Sequence, residues 1–313
     1  MQTRLHVLAI AFTLAFAATA ARADDSNIVE AIQAGNGNRA TIDQLTTTTS
    51  TAKLNQNGST NQVGILQVAG TANSTVNAAQ GGNNHTLAIE QRAALGGAIS
   101  VTQGGESQTA NVTQNSVGDS NVQVTQADLA NTAVVVQTGT YLANSNIQQS
   151  GSFNHVSTEQ NSLFNSMINV TQNADNNAAS VAQTNVANST VTIIQNGPQN
   201  SVNAKQENGD GNNLTINQGT KRGFVSAYQS GDQNIAVISQ GGYGQGATTV
   251  QTGGYNDITL TQDIWGNTAT IQQNSTATDI SQKNVVQVVQ SNMSNTATVT
   301  QTGAGNSVKI NQK

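Results

Sequence analysis

The sequence predicts an all-β fold: a β-solenoid of about twelve strand-turn-strand rungs, 22–23 residues each, stacked into two amyloid-like sheets. Residues 33–44 and 301–312 share the form Q-x-G-x-x-N-x-apolar-x-apolar-x-Q, and between them glutamine recurs mostly at every eleventh or twelfth position. The positions two and four before each glutamine share its face of a strand. In the 24 strands that end at Gln44 and later they hold Ala, Val, Ile or Leu in 45 of 48 cases, far above the 35% hydrophobic background, so one structural unit is being repeated.

A signal peptide is predicted at residues 1–23. Arg4 supplies a positive charge, residues 7–18 form an apolar run, and residues 21–23 read A-R-A, the form of a cleavage site. The apolar run is too short to span a bilayer. We therefore expect a secreted protein whose mature chain begins at residue 24.

The mature chain divides into a short N-terminal segment, residues 24–32, and a repeat β-solenoid, residues 33–313. The sequence contains 9% charged residues, 3% aromatic residues and no cysteine. A compact enzyme carries about a quarter charged residues and more large apolar side chains, so this composition indicates stacked polar repeats. Removal of Arg4 and Arg22 leaves 9 basic and 16 acidic residues, a balance that disfavours nucleic acid as a partner.

Each repeat is predicted to end in a strand with one interior face. In residues 38–44, Asn38, Ala40, Ile42 and Gln44 alternate with residues that face solvent. We expect the Asn and Gln side chains to stack on their copies in neighbouring rungs as amide ladders, and the small apolar side chains to form the core. The predicted ladder residues are Gln33, Asn38, Gln44, Gln149, Asn154, Gln160, Gln229, Asn234, Gln240, Gln301, Asn306 and Gln312. The predicted core residues are Ala40, Ile42, Ala133, Val135, Ala236, Ile238, Ala297, Val299, Val308 and Ile310.

The stretch that follows each glutamine is predicted to form a turn in which Gly or Asn adopts a left-handed conformation. From Gln80 to Gln218 the glutamines stand alternately eleven and twelve positions apart, and from Gln218 to Gln273 every step is the shorter one. The next step, from Gln273 to Gln290, is much longer than either. We interpret residues 274–284 as an insertion looped out between rungs; a break between two solenoid blocks is the alternative.

The repeats resemble those of the curlin family, the amyloid-forming subunits of bacterial curli fibres. The pattern Q-x-G-x-x-N-x-A-x-x-x-Q is intact in residues 33–44 and 229–240, and residues 126–137 and 251–262 are close variants. The resemblance covers residues 33–312, with more repeats than familiar curlins and a shorter segment before them. It implies export through a curli-type secretion pore with its chaperones, and self-polymerisation into extracellular fibres together with a nucleator or major curlin partner.

No catalytic, cofactor-binding or metal-binding residue is predicted. Residues 35–40 fit G-x-G-x-x-A, but the dinucleotide motif must follow a buried strand and open a helix, whereas here it recurs as a turn. His85 and His155 stand on different rungs without cysteine, so we expect no metal site. His85 occupies an Asn ladder position and is expected to substitute for that side chain. Tyr243 and Trp265 are expected to be exposed in turns.

We expect a structural subunit of extracellular curli-like functional amyloid fibres that supports cell adhesion and the biofilm matrix. The alternatives are a surface-bound nucleator of the same fibre and a non-polymerising β-solenoid adhesin. A solenoid enzyme of the polysaccharide-lyase kind needs Asp, Arg or Lys clustered on one sheet, and the charges here are scattered. The strands at residues 295–301 and 306–312 keep every ladder and core position, which favours the main subunit over the nucleator.

Overall fold

The computed structural model describes residues 6–9, 19–22 and 26–313. The predicted signal peptide, residues 1–23, therefore lies mostly outside the described residues, and only the backbone of its two short segments is described. The described chain is almost entirely β-strand, with a single 3-10 helix at Ile280–Gln282.

The chain divides into two compact units, Met1–Phe153 and Asn154–Lys313. The described strands of the first unit are β1 (His6–Ala9), β2 (Thr19–Arg22), β3 (Ile28–Ala34), β4 (Arg39–Leu45), β5 (Thr51–Ser59), β6 (Gln62–Val68), β7 (Thr75–Asn83), β8 (Thr86–Arg92), β9 (Ala98–Glu106), β10 (Thr109–Asn115), β11 (Asn121–Gln126), β12 (Thr132–Thr138) and β13 (Asn144–Gln149). Those of the second unit are β14 (His155–Asn161), β15 (Met167–Gln172), β16 (Ala178–Ala187), β17 (Thr190–Gln195), β18 (Ser201–Asp210), β19 (Asn213–Gln218), β20 (Phe224–Ser230), β21 (Ile235–Gln240), β22 (Gly246–Thr252), β23 (Asn256–Gln262), β24 (Thr268–Ser275), β25 (Asn284–Gln290), β26 (Thr296–Gly303) and β27 (Ser307–Gln312).

Within each unit the odd-numbered strands form one parallel sheet and the even-numbered strands form the other. One odd strand, one even strand and the two corners that join them make one coil. The pairing is in register: β4 on β6 places Ala40 opposite Val63 and Gln44 opposite Gln67. The predicted all-β solenoid of about twelve coils is therefore confirmed.

The core of each unit lies between its two sheets, because every strand turns alternate side chains inward. Among the predicted core residues, those that are fully buried are Ala40, Ile42, Ala133, Val135, Ala236, Ile238, Ala297 and Val299. Val308 and Ile310 are only half-buried, because their strand β27 is paired on one side alone, by β25.

The first paired strand of the repeats starts earlier than the predicted boundary at residue 33. Strand β3 begins at Ile28 and pairs in parallel with β5. Val29 and Ala31 stand four and two positions before Gln33, the same spacing as in every later strand. Because Val29 is fully buried, the second half of the predicted N-terminal segment belongs structurally to the solenoid.

Two kinds of corner explain why the glutamine spacing alternates. A short corner follows an odd strand and has left-handed residues two and four positions after the glutamine, as at Gly35 (φ 98°) and Gly37 (φ 67°). A long corner follows an even strand and has them two and five positions after it, as at Thr46 (φ 54°) and Thr49 (φ 52°). The extra residue of the long corner makes the longer step. From Gln229 onward the even strands also use the short corner, except at the insertion, so the steps become equal.

The structure also shows what interrupts the pattern at residues 274–284. Residues 276–283 of this segment form a loop with a 3-10 helix between β24 and β25, whereas residues 274, 275 and 284 belong to those strands. Asp279 caps the helix by accepting from the backbone of Ser281. On either side of it the sheets continue in register, since β23 pairs with β25 and β24 with β26. The segment is an insertion looped out of the solenoid.

Candidate functional site

The interior glutamines form hydrogen-bonded ladders that run along each sheet. Along these columns the Nε2 of one glutamine donates to the Oε1 of the equivalent glutamine in the next coil, at 2.6–3.0 Å, and Gln33 donates to Gln56 in the same way. These amides are almost completely buried inside the units. A buried amide without hydrogen-bond partners is costly. The ladder supplies these partners, which the apolar side chains of the core cannot provide.

All of the ladders have the same polarity. The second hydrogen of Nε2 donates to a backbone carbonyl at the start of a facing or following strand, as from Gln80 to Gln62 O (3.3 Å) and from Gln44 to Ser50 O (3.2 Å). Since the carbonyl fixes the orientation of the amide, its nitrogen points to the later coil and its oxygen to the earlier one. Each ladder therefore has an acceptor end toward the N-terminus and a donor end toward the C-terminus.

The structure places all eight predicted ladder glutamines in these columns. They are Gln33, Gln149, Gln240 and Gln312 on the odd strands, and Gln44, Gln160, Gln229 and Gln301 on the even strands. Gln33 and Gln312, on the first and last odd strands of the repeats, are half-buried. Gln44 is fully buried, yet its Oε1 has no hydrogen-bond partner.

The predicted asparagines stack differently from the glutamines. Asn38 Oδ1 accepts from the backbone N–H of Asn61 in the next coil (3.1 Å), and Asn38 Nδ2 donates to Ala34 O (2.7 Å) and Gly58 O (3.0 Å). The column thus joins side chains to the backbone, whereas we expected an amide-to-amide ladder. Asn154 repeats this geometry, accepting from the backbone N–H of Asn177 (2.9 Å).

Direct amide-to-amide bonds between asparagines occur in the later coils of the second unit. Asn234 Oδ1 accepts both the backbone N–H of Asn256 (3.2 Å) and its Nδ2 (2.8 Å). Asn306 likewise donates its backbone N–H (2.9 Å) and its Nδ2 (3.1 Å) to Asn284 Oδ1. These asparagines stand at the start of the odd strands β21, β23, β25 and β27, whereas Asn38 and Asn154 stand before the even strands β4 and β14.

Serine takes the position of asparagine at most long corners, a role that the sequence analysis missed. Ser120 Oγ accepts from the backbone N–H of Ala143 (3.1 Å), and Ser189 Oγ accepts from that of Asn212 (3.1 Å). At these corners the glutamine amide bonds the following corner carbonyl, as from Gln114 to Ser120 O (3.0 Å). A small side chain is therefore sufficient. The signal was present in the sequence, six positions before each glutamine.

His85 replaces asparagine in this column and is fully buried. Its Nδ1 accepts from the backbone N–H of Gln108 (3.2 Å), and its Nε2 lies 3.0 Å from Gly81 O. The first bond requires an unprotonated Nδ1, so Nε2 carries the hydrogen that Gly81 accepts. Burial lowers the pKa of His85 from its ordinary value of 6.5, against the opposing effect of the hydrogen bonds to Gly81 and Gly105.

One corner series of the second unit carries exposed aromatic and basic side chains. Tyr243 and Trp265 occupy consecutive coils, with their ring centroids 6.2 Å apart and their planes inclined by 52°. The Arg222 guanidinium lies 5.6 Å from the centre of the Tyr243 ring and donates to Gln199 Oε1 (2.9 Å) and to the Tyr243 hydroxyl (2.5 Å). The aromatic turn residues are thus exposed, as expected, and they adjoin a cation that sequence analysis did not associate with them.

Comparison with known proteins identifies no relative: no family model matches the chain, and no curated protein matches it. No helix in the described part of the chain is long and apolar enough to cross a membrane. Across residues 26–313, acidic and histidine side chains form no group of three or more that is able to hold a metal ion. The hydrogen-bonded ladders make the repeated surface that one coil offers the next the candidate functional site.

Proposed function

We propose that this protein is a structural subunit of extracellular curli-like amyloid fibres, which assemble as the coils of one copy stack on those of another. Fibres of this kind support cell adhesion and the biofilm matrix. The observation that carries the proposal is the polarity of the ladders. Every coil presents acceptor amides on one side and donor amides on the other, so a second copy is able to continue both ladders without any new type of contact.

The open edge at the C-terminal coil supports the same proposal. Among the described residues, β26 pairs only with β24 and β27 only with β25. An unpaired parallel strand presents free N–H and C=O groups that recruit another strand. No proline or inward-pointing charge protects these two strands, whose sequences are TATVTQTG and SVKINQ.

The curlin resemblance supplies the remaining parts of the proposal. The chain is secreted through a curli-type pore with its chaperones, and its partners are further copies of itself and a nucleator or major curlin partner. Nucleic acid is not a partner. The intact ladder and core positions of the last two strands favour the main fibre subunit over the nucleator.

Assembly is tested with the full chain, expressed with its leader and purified in the form that the host exports. We expect fibres with a meridional reflection at about 4.7 Å, and fibre fragments should shorten the lag phase of fresh protein. A chain that stays monomeric at high concentration after prolonged incubation contradicts the proposal. That outcome favours a β-solenoid adhesin, for which the exposed corner of Arg222, Tyr243 and Trp265 is the candidate contact surface.

The choice between main subunit and nucleator requires a deletion strain. Loss of all fibre mass is expected for the main subunit. Secretion of a soluble, unassembled partner subunit would instead identify this chain as the nucleator.

A further inference from the structure

We propose a specific junction between two copies, an inference that rests on the proposed fibre function. In this junction β27 of one copy pairs in parallel with β3 of the next, with Gln312 opposite Gln33. At the same time β26 pairs with β4, with Gln301 opposite Gln44. The partner surface is therefore the first coil of a second copy of this chain, met in the same register that joins neighbouring coils within each unit.

The first support is an unpaired acceptor. Gln44 Oε1 has no hydrogen-bond partner even while β2 covers the edge of β4, although amide oxygens shielded in this way are normally bonded. Gln301 has the complementary group: its Nε2 donates one hydrogen to Val285 O (3.2 Å), and an amide nitrogen has two. In the coil before it, Gln273 uses its second hydrogen to bond Gln301 Oε1 (2.8 Å). The equivalent hydrogen of Gln301 therefore points to where Gln44 Oε1 stands in the proposed junction.

The second support is charge complementarity at the same register. Aligning Gln312 with Gln33 places Lys309 opposite Glu30, because each stands three positions before its glutamine. Within the chain the same column already contains a cation–carboxylate pair, since Lys53 Nζ lies 3.1 Å from Glu30 Oε2. Lys309 forms no ion pair with the described residues, and its neighbour in the preceding coil is the uncharged Gln287.

The third support is the occupant of this edge in the full-length chain. Strand β1 pairs with β3, and β2 pairs with β4. Both strands belong to the predicted signal peptide, and β2 ends with Arg22 opposite Asp43, one position short of Gln44. The leader thus covers the edge without completing the Gln44 ladder. Its removal opens the edge to a donor that fits better, the C-terminal coil of another copy.

The register is tested with cysteine pairs, since the chain has no native cysteine. Thr41 and Thr298 lie on the outer faces of β4 and β26 and fall opposite each other in the proposed junction. In the doubly substituted chain, Thr41→Cys with Thr298→Cys, a short thiol crosslinker should convert fibres into a covalent ladder of multimers. The matched control, Thr41→Cys with Thr296→Cys, displaces one thiol by about 6.6 Å along the strand and should crosslink far less.

Each crosslinking outcome decides a different question. A ladder from the control pair, or a covalent dimer from either single variant, overturns the proposed register or its head-to-tail direction. Fibres that form and do not crosslink at Thr41 and Thr298 also overturn the junction, while leaving the fibre function intact. If the unmodified chain forms no fibres, the proposed function fails and the junction fails with it.

A second measurement is independent of the cysteines. Lys309→Glu places two carboxylates opposite each other in the junction, so elongation on fibre seeds should slow by about threefold at low salt. Because salt screens exposed charges, the difference should shrink as salt is added. Lys313→Glu makes the same change of charge outside the paired strand and should elongate at the normal rate. Equal rates for the two variants at low salt argue against the Lys309–Glu30 contact.

Discussion

Replacing Gln206 by leucine is expected to lower the local stability of the coils around β18, in the middle of the second unit. Gln206 is fully buried, donates to Gln229 Oε1 (2.7 Å) and Thr190 O (3.1 Å), and accepts from Gln183 Nε2 (2.8 Å). Leucine has a similar size and no polar atom, so two buried side-chain groups and the part-buried Thr190 carbonyl lose a partner. At about 2 kcal/mol each, less roughly 2 kcal/mol for the added apolar burial, the net loss is about 4 kcal/mol.

Hydrogen exchange of the soluble chain measures this loss where it occurs. In a repeat protein the stability of a coil depends mainly on its neighbours, so the amides of β16, β18 and β20 should lose the most protection. A loss of about 4 kcal/mol corresponds to roughly 1000-fold faster exchange through opening. Gln206→Asn, which keeps an amide on a shorter side chain, should lose less than Gln206→Leu.

The matched control is Gln312→Leu at the end of the same kind of ladder. Gln312 accepts from Gln290 Nε2 (2.8 Å) and donates to Thr296 O (3.1 Å), but it is half-buried and water reaches these groups. We expect a loss of about 1 kcal/mol or less there. Equal loss of protection in the two variants would refute the argument, because burial would then not determine the cost of an unpaired ladder amide.

Three further predictions concern the pH dependence, the ends and the insertion. Burial lowers the pKa of His85 from 6.5, so the neutral side chain contributes stability above about pH 6.5 that should be lost as the pH falls through the lowered pKa. In denaturant unfolding, His85→Asn should remove this pH dependence and His155→Asn should not. Gln301→Ala with Gln312→Ala should lengthen the fibrillation lag more than Gln160→Ala with Gln172→Ala, because end amides template the next copy; equal lags contradict a role for end position. Deleting residues 277–282 places Asn284 five positions after Gln273, the same spacing as Asn306 after Gln301. Circular dichroism should then show the same fold, and the free energy of unfolding should change by less than about 1 kcal/mol. Loss of the β signal would show that the loop is needed.

The strands and their register were predictable because two simple signals coincide. Glutamine marks the end of each strand, and the period of two places Ala40 and Ile42 on its face. Each coil buries the same positions, so a strand that departs from the pattern in one repeat is still assigned from the positions it shares with the others. The same period extends to Val29 and Ala31, and the first strand was missed only because no complete repeat precedes it.

The corners were less predictable, because several different residue types adopt the left-handed conformation that the turn requires. The prediction of Gly or Asn at left-handed positions holds at Gly35, yet Leu142 (φ 56°) and Phe153 (φ 58°) also adopt this conformation. Such residues carry a local strain of about 1–2 kcal/mol, which the paired strands on both sides offset. The sequence signal lies six positions before the next glutamine, where serine, as at Ser120, occurs only after long corners and asparagine, as at Asn38, mostly after short ones.

The buried amides explain how parallel strands of such similar sequence choose one register. A slip by two positions keeps the apolar side chains inside, since the positions two and four before each glutamine are Ala, Val, Ile or Leu in most strands. The same slip moves Gln206 opposite Ala227, which stands two positions before Gln229, and leaves its amide unpaired. Each unsatisfied group costs about 1–3 kcal/mol. A slipped strand therefore loses more free energy from its unpaired amide than the two registers differ by in apolar packing. The least hydrophobic interior residue therefore decides the register, and it does so for any strand that adds to the edge, whether from the same chain or from another copy.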